Sequence, residues 1–325
     1  MNGRAQQVHE VGGPEAMKWE EVAVPAPGPG EVLLRQRAIG VNFIDVYFRT
    51  GLYKAPALPF VPGQEGAGVV EAVGEGVTTV QVGARVGYAG LLGGYAELRL
   101  VAAERLIALP DDVSDEAAAA LLLKGLTAQY LVTQIGKIAA GDVVLVHAAA
   151  GGVGLLACSW ARALGATVIG TVGSDAKAAL AAEHGCSHPI VYTREDFVTR
   201  VRELTGGAGV RVAFDGVGKD TFLGTLDCMR RLGVVASFGQ SSGPIAPIEV
   251  SLLAAKGSLT LTRPRLHDYT HVPADQATMA ADLWSALRQG HIRASIGARH
   301  PLSEAAAAHR ALEGRATTGA SILLP

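Results

Sequence analysis

Cysteine is scarce: Cys158, Cys186 and Cys228 are the only three in 325 residues, with no Cys-x-x-Cys pair and no histidine partner at zinc-ligand spacing. That argues against a disulfide framework or a structural zinc lobe and predicts three reduced, packed thiols. Aromatic residues are few as well, at seven Phe, seven Tyr and three Trp. A basic, aromatic-laced strand of the kind that stacks nucleic-acid bases is therefore missing. Neither sign of charge dominates, since 28 Lys and Arg oppose 30 Asp and Glu for a net charge of −2. A nucleic-acid partner would require a concentrated basic surface. No long apolar run occurs: the most apolar stretch, 143–172, is broken by His147, by the glycines around Gly152 and by Arg162. It reads as strand, turn and helix rather than a membrane span. The first ten residues include Arg4, His9 and Glu10 and no apolar run, so no secretory leader is expected.

What is abundant is glycine, with 41 residues in a chain that is 49% apolar. At about 150 residues per domain, the length predicts two domains with ample apolar residues for both cores. The first third reads as turn-rich β structure. Residues 31–38 look like a strand entered through an extended segment fixed by Pro25, Pro27 and Pro29. Residues 69–73 and 85–88 repeat the pattern around Gly74, Gly76 and Gly83, a spacing that suits a small barrel. In 111–123 the pattern turns helical, with Asp115 and Glu116 favouring a helix N-terminus, and a second helix, 127–135, is predicted after Gly125.

From Asp142 strands and helices alternate. Strands are predicted at 143–146, 167–172, 189–192, 210–214 and 234–238. Helices are predicted at 153–164, 175–184, 195–205 and 220–229, the last closed by Arg230, Arg231 and Gly233 as a C-cap. This alternation implies a parallel sheet with right-handed crossovers. After a further strand at 258–262 the alternation stops, and helices at 274–289 and 303–313 flank a β-like 292–298 before an apolar 321–324. The tail is expected to return to the first domain, which makes the α/β unit an insertion.

The strongest local signal is Val144-Leu-Val-His-Ala-Ala-Ala-Gly-Gly-Val-Gly-Leu, a strand running into glycines and then a helix. Gly151, Gly152, Val153 and Gly154 stand where a backbone must approach a pyrophosphate, with amide donors and the positive helix end aimed at the anion. The βαβ context makes this a dinucleotide fingerprint where a glycine run alone would be weak. An NAD site places an acidic residue about 20 positions after the glycines to hold the ribose 2′-hydroxyl. Here Gly173 and Ser174 occupy that place, with Lys177 one turn on and Tyr192 ending the next strand. A 2′-phosphate fits better, taking a hydroxyl from Ser174 and a charge from Lys177. The alternative leaves Asp175 to hold a 2′-hydroxyl.

Further motifs are Gly63-Gln64-Glu65-Gly66-Ala67-Gly68, Ala38-Ile-Gly-Val-Asn-Phe-Ile-Asp-Val-Tyr, Arg49-Thr-Gly-Leu-Tyr, Leu123-Lys-Gly-Leu-Thr-Ala, Ser237-Phe-Gly-Gln-Ser-Ser-Gly, Gly257-Ser-Leu-Thr-Leu-Thr-Arg-Pro and Gly314-Arg-Ala-Thr-Thr-Gly. With the fingerprint they resemble, over essentially the full chain, the zinc-independent branch of the medium-chain dehydrogenase/reductase superfamily, and within it the NADPH:quinone oxidoreductases related to zeta-crystallin. The resemblance implies an α/β protein: a GroES-like β-barrel catalytic domain plus a Rossmann domain with a doubly wound parallel sheet. It divides the chain into 1–125 (catalytic), 126–262 (NADPH-binding) and 263–325 (return to the catalytic domain).

Zinc-dependent relatives carry a cysteine near Asn42 and a Gly-His-Glu in place of Gly63-Gln64-Glu65, so no metal is expected and alcohol dehydrogenation is disfavoured. What remains is hydride delivery from NADPH to an electron-poor acceptor. The resemblance places Asn42 and Tyr47 beside the nicotinamide and its ribose and Tyr53 at the mouth of a cleft. Lys124, Thr127 and Tyr130 fall near the cofactor, and Phe238, Gly239 and Ser241 follow the fifth strand, where open α/β sheets bind ligands. Arg263 is implied at the cleft between domains, where a guanidinium steadies the cofactor or a developing hydroquinone anion. Arg315 is implied on a cofactor phosphate. Tyr47, Tyr53 and Arg263 are the candidates for catalysis. Their competing roles are structural: a turn amide at Asn42, packed tyrosines, an ion pair at Arg263 and a capping lysine at Lys124. Gly216 departs from the family, whose members frequently carry Ser there.

The expectation is an NADPH-dependent quinone reductase working without metal. Its rivals are a zinc-free enone or enoyl-thioester reductase and a noncatalytic, crystallin-like NADPH-binding protein. A small-molecule quinone is the expected partner, with no nucleic acid and no membrane. A homodimer through the edge strand 258–262 and a cytoplasmic location are expected.

Overall fold

The computed structural model describes all 325 residues, Met1–Pro325. The chain opens with an antiparallel hairpin, β1 (Asn2–Val8) and β2 (Met17–Ala23). No apolar alternation announces it, because the buried positions of β1 are Gly3, Ala5, Gln6 and Val8. Then come β3 (Glu31–Val41), α1 (Phe43–Arg49), β4 (Glu65–Val73), β5 (Arg85–Ala89), β6 (Leu98–Ala102) and β7 (Ile107–Ala108). β3 is the central strand, antiparallel to both β4 and β6. Val32 and Leu34 on β3 pack with Val70, Val86, Tyr88 and Val101 in one apolar cluster.

α2 (Asp115–Gln129) runs unbroken through Gly125 and widens into a π-helix at Tyr130–Ile135. The expected second helix starting after Gly125 is thus a continuation of the first. Gly125 serves close packing: a Cβ there would meet the methyl carbons of Leu283, one of them at 3.2 Å.

The middle of the chain holds β8 (Val143–Val146), α3 (Gly152–Ala163), β9 (Thr167–Val172), α4 (Asp175–Glu183), β10 (His188–Val191), α5 (Phe197–Leu204), β11 (Val210–Asp215), α6 (Phe222–Cys228), β12 (Met229–Ser237), α7 (Ser251–Ala255) and β13 (Thr260–Thr262). The six strands form a fully parallel sheet in the order β10-β9-β8-β11-β12-β13. Counted from β8 this is the Rossmann order, whose direction reverses between β8 and β11. Arg230 and Arg231 do not cap a helix as expected, because α6 stops at Cys228 and both belong to β12. The pairing of β11 with β12 shifts register between Val210 and Val212, and Leu232 turns left-handed at φ 59°.

The tail comprises α8 (Leu266–Thr270), α9 (Pro273–Arg288), β14 (Ile296–Pro301), α10 (Ala305–Glu313) and β15 (Ala320–Leu324). The strand expected at 292–298 therefore starts four residues later, at Ile296. β15 pairs antiparallel with β3 and parallel with β14, so the C-terminal strand belongs to the seven-stranded sheet of the first third. Two units result: unit 1 comprises 1–123, 272–280 and 294–325, and unit 2 comprises 124–271 and 281–293. All three cysteines are buried and free. No helix is long and apolar enough to cross a membrane.

Candidate active site

In unit 2, buried β8 delivers the chain to a tight bend. His147 lies beneath it, with Nδ1 2.9 Å from the Thr171 hydroxyl and Nε2 2.9 Å from that of Thr225. Burial lowers its pKa, so the imidazole is neutral. Ala148 follows at φ 52°, a left-handed conformation that alanine rarely adopts. Gly151 is the N-cap of α3 and brings no capping side chain. The first amides of a twelve-residue helix are thereby left to a ligand, at the positive end of its dipole. A Cβ on Gly154 would run into the Ala148 carbonyl oxygen, and one on Gly152 would lie 2.7 Å from Cδ of Lys124. These glycines form a cradle that side chains would fill. Lys124, only 4% exposed, lays its stem across it. The arrangement fits the pyrophosphate of a dinucleotide.

The rim at the end of β9 follows the same logic. Gly173 is overlain by Tyr192, whose hydroxyl would sit 2.9 Å from a Cβ at that position. The Ser174 hydroxyl accepts the Lys177 N–H at 3.4 Å as the N-cap of α4, which leaves its own hydrogen to donate elsewhere. Both carboxylate oxygens of Asp175 are taken by Arg194, at 2.6 and 2.7 Å. The guanidinium holds the Asp175 carboxyl below its ordinary range. In the alternative, a 2′-hydroxyl would have to share the Asp175 carboxylate with Arg194. No spacing rule marks Arg194, which stands just past β10.

Lys124, Thr127 and Tyr130 recur every three residues along α2 and its π turn, so they share one face. Burial pushes the Tyr130 hydroxyl up, opposed by its hydrogen bond to Thr127 and by the charge of Arg263. The Tyr130 ring stacks on Tyr269 of α8, with centroids 4.4 Å apart and planes at 10°. Tyr269 carries no motif by which the sequence would reveal it. Arg263 donates to the Ser237 carbonyl at 2.7 Å, which ties the ends of β12 and β13 together. Phe238 packs over Gly216, where a Cβ would come within 2.8 Å of Cζ. The glycine where relatives frequently carry Ser thus makes room for a ring. Ser241 N–H donates to the Gly216 carbonyl at 3.2 Å, and Gly239 packs against the same residue.

In unit 1, α1 carries Asn42 at its start and Tyr47 within it, and Tyr53 follows its end. Asn42 is the N-cap of α1; its Nδ2 donates to Glu65 Oε2 at 2.9 Å, and its N–H donates to Asp45 Oδ2 at 2.9 Å. Glu65, fully buried, also accepts Leu123 N–H on Oε1 at 2.7 Å. The Tyr53 N–H donates to the Tyr47 carbonyl, and the two rings meet edge to face at 5.1 Å. Arg315 follows α10 in a left-handed conformation, φ 55°. No group of three or more His, Cys, Asp or Glu side chains gathers as a metal-binding set.

Two family models match the chain: the alcohol dehydrogenase GroES-like domain over 28–111 and the zinc-binding dehydrogenase over 152–272. A quinone oxidoreductase of Pseudomonas aeruginosa is 50% identical over 315 residues, 97% of each chain. A 2-haloacrylate reductase of a Burkholderia species is 47% identical over 328 residues, 99% of this chain and 98% of the other. The solved Escherichia coli quinone oxidoreductase complexed with NADPH superposes with a TM-score of 0.97 at 43% identity, covering 99% of this chain and 100% of that one.

Proposed function

The chain belongs to the zeta-crystallin-like quinone oxidoreductases of the medium-chain dehydrogenase/reductase family, and from that premise we propose that it is an NADPH-dependent quinone reductase. The observation that carries the reading is the cradle itself: glycines at 151, 152 and 154 beside a left-handed Ala148, opening on uncapped helix amides. When bound, NADPH supplies a hydride from its dihydronicotinamide. The residues proposed to hold the pyrophosphate are Gly151 to Gly154 and Lys124; those proposed for the 2′-phosphate are Gly173, Ser174, Lys177 and Tyr192.

Thr127, Tyr130, Phe238, Gly239, Ser241 and Arg315 complete the proposed cofactor contacts, with Asn42 and Tyr47 serving the nicotinamide. Tyr53, Tyr47 and Arg263 are proposed to act on the acceptor. A hydroxyl or a guanidinium aimed at the oxygen where charge grows lowers the barrier. Metal-free chemistry is part of the proposal, because Asn42 and Gln64 bring amides where zinc would take a thiolate and an imidazole. Residues 1–125 and 263–325 are assigned to catalysis and 126–262 to the nucleotide.

A second reading has one observation in its favour: the Burkholderia relative is, by name, a reductase of a conjugated acid. The two are separated by a matrix of NADPH and NADH against quinones, enones and enoyl thioesters. Our reading expects benzoquinone or phenanthrenequinone to drive NADPH oxidation. Turnover with crotonyl thioesters and none with quinones overturns it. We also propose a homodimer paired through 258–262 and, given three free thiols, a cytoplasmic location.

A further inference from the structure

One face of α1 carries a set of buried polar side chains to which the reading above gives no task. Asp45 and Arg49 lie four residues apart, one turn above the other, and both are fully buried. The Arg49 guanidinium donates to His309 Nδ1 at 3.1 Å, to both oxygens of Glu313 at 2.7 and 2.9 Å, and to the Gly12 carbonyl at 3.1 Å. His309 Nε2 is 2.9 Å from the Tyr95 hydroxyl, which donates to Asp45 Oδ2 at 3.0 Å. The chain of bonds thus returns to the helix it left.

The chemistry of the partners fixes every proton in this ring. A guanidinium only donates, so His309 Nδ1 accepts and the imidazole proton sits on Nε2. Nε2–H then donates to the Tyr95 oxygen, and the Tyr95 hydroxyl hydrogen goes to Asp45. Burial and the Arg49 charge lower the His309 pKa to about 3, so the imidazole is neutral near pH 7. Burial and the Asp45 charge push the Tyr95 hydroxyl well up, so it keeps its proton. A seven-residue helix is too short to be stable alone, and its orientation depends on such contacts.

We propose that Asp45, Tyr95, His309 and Arg49 are positioning residues, whose hydrogen-bonded ring locks the rotation of α1 and so aims Asn42, at its start, at the nicotinamide and Tyr47, on its opposite face, at the nicotinamide and the acceptor it reduces. The link is direct, because the Asp45 oxygen that takes the Tyr95 hydroxyl also takes the Asn42 N–H. This inference rests on the reading that Asn42 and Tyr47 serve the reduction.

Tyr95→Phe opens the ring by one hydroxyl and keeps the packing of the ring system. Tyr88→Phe is the matched control, since Tyr88 is equally buried and donates to Gln36 Oε1 at 2.6 Å, outside the ring. The expected result is a kcat lower by about tenfold for Tyr95→Phe, with the NADPH KM within about twofold of wild type and the kcat of Tyr88→Phe unchanged. Equal losses in both variants, or no loss in Tyr95→Phe, would overturn the proposal. Wild-type turnover of phenanthrenequinone reports separately on the function: if enones replace quinones as acceptors, the same ratio of variants is read on an enone. A nitrogen-15 spectrum of labelled histidine needs no acceptor. It should show His309 protonated on Nε2 alone; protonation on Nδ1 refutes the ring.

Discussion

A left-handed alanine costs about 1 kcal/mol, and Ala148 holds that conformation against the Gly154 backbone. A methyl group on Gly154 must push α3 away from the Ala148 carbonyl. Gly154→Ala is therefore expected to weaken NADPH binding at least about tenfold, some 1.4 kcal/mol, in a fluorescence titration; unchanged affinity would place the nucleotide elsewhere. At the outer rim, Lys177→Ala should raise the KM for NADPH about tenfold and leave that for NADH unaltered, because a surface charge beside a phosphate contributes about 1 kcal/mol or somewhat more. Identical cofactor discrimination in that variant would move the phosphate pocket away from α4. These residues can be singled out from the sequence because glycine spacing and the missing acidic residue are chemical statements about a ligand. Arg194 was not legible: its bond to Asp175 is made by folding β10 beside β9, and no local spacing encodes it.

At the scale of elements, the central Rossmann strands could be read because β8 and β9 are short, mostly apolar runs buried on both faces. Hairpin β1–β2 was hidden by small and polar inward residues; Gln6 is buried yet satisfied by the carbonyls of Leu302 and Ser303 at 2.9 and 3.0 Å. The early start of β12 was hidden for a different reason, a left-handed Leu232 that is 67% exposed. α1 is not legible in the sequence, because seven residues give too few turns for a period to show. β13 pairs with β12 on one side only and ends the six-stranded sheet. Such an edge invites a partner strand, and light scattering at micromolar concentration should give twice the 33.5 kDa chain mass. A monomer mass would refute the proposed dimer.

For the whole molecule, three buried histidines tie stability to pH. Burial lowers the pKa of His147, His184 and His309 from the ordinary 6.5, that of His309 to about 3. Below pH 6.5 the unfolded chain therefore binds protons that the folded chain refuses, and stability falls as pH falls through the window from 6.5 towards 3. His309 contributes up to about 1.4 kcal/mol per pH unit there. Urea unfolding should show His309 alone removing about 2 kcal/mol between pH 6.5 and 5, and His309→Asn should flatten that slope. A wild-type stability that is constant over the interval would contradict the burial of neutral His309. The fold class was legible at this scale because the β-rich, alternating and returning segments succeed one another along the chain. The fixed protons of the Arg49–His309–Tyr95–Asp45 ring were not, since they join residues 45 and 309.

The most direct test of the function is the initial rate of dihydronicotinamide oxidation with phenanthrenequinone in chelator-treated buffer, NADPH against NADH. We predict rapid oxidation of NADPH, slower oxidation of NADH at equal concentration, and no change in rate on adding zinc. No quinone-dependent oxidation of NADPH, or a rate that appears only with zinc, would contradict the account.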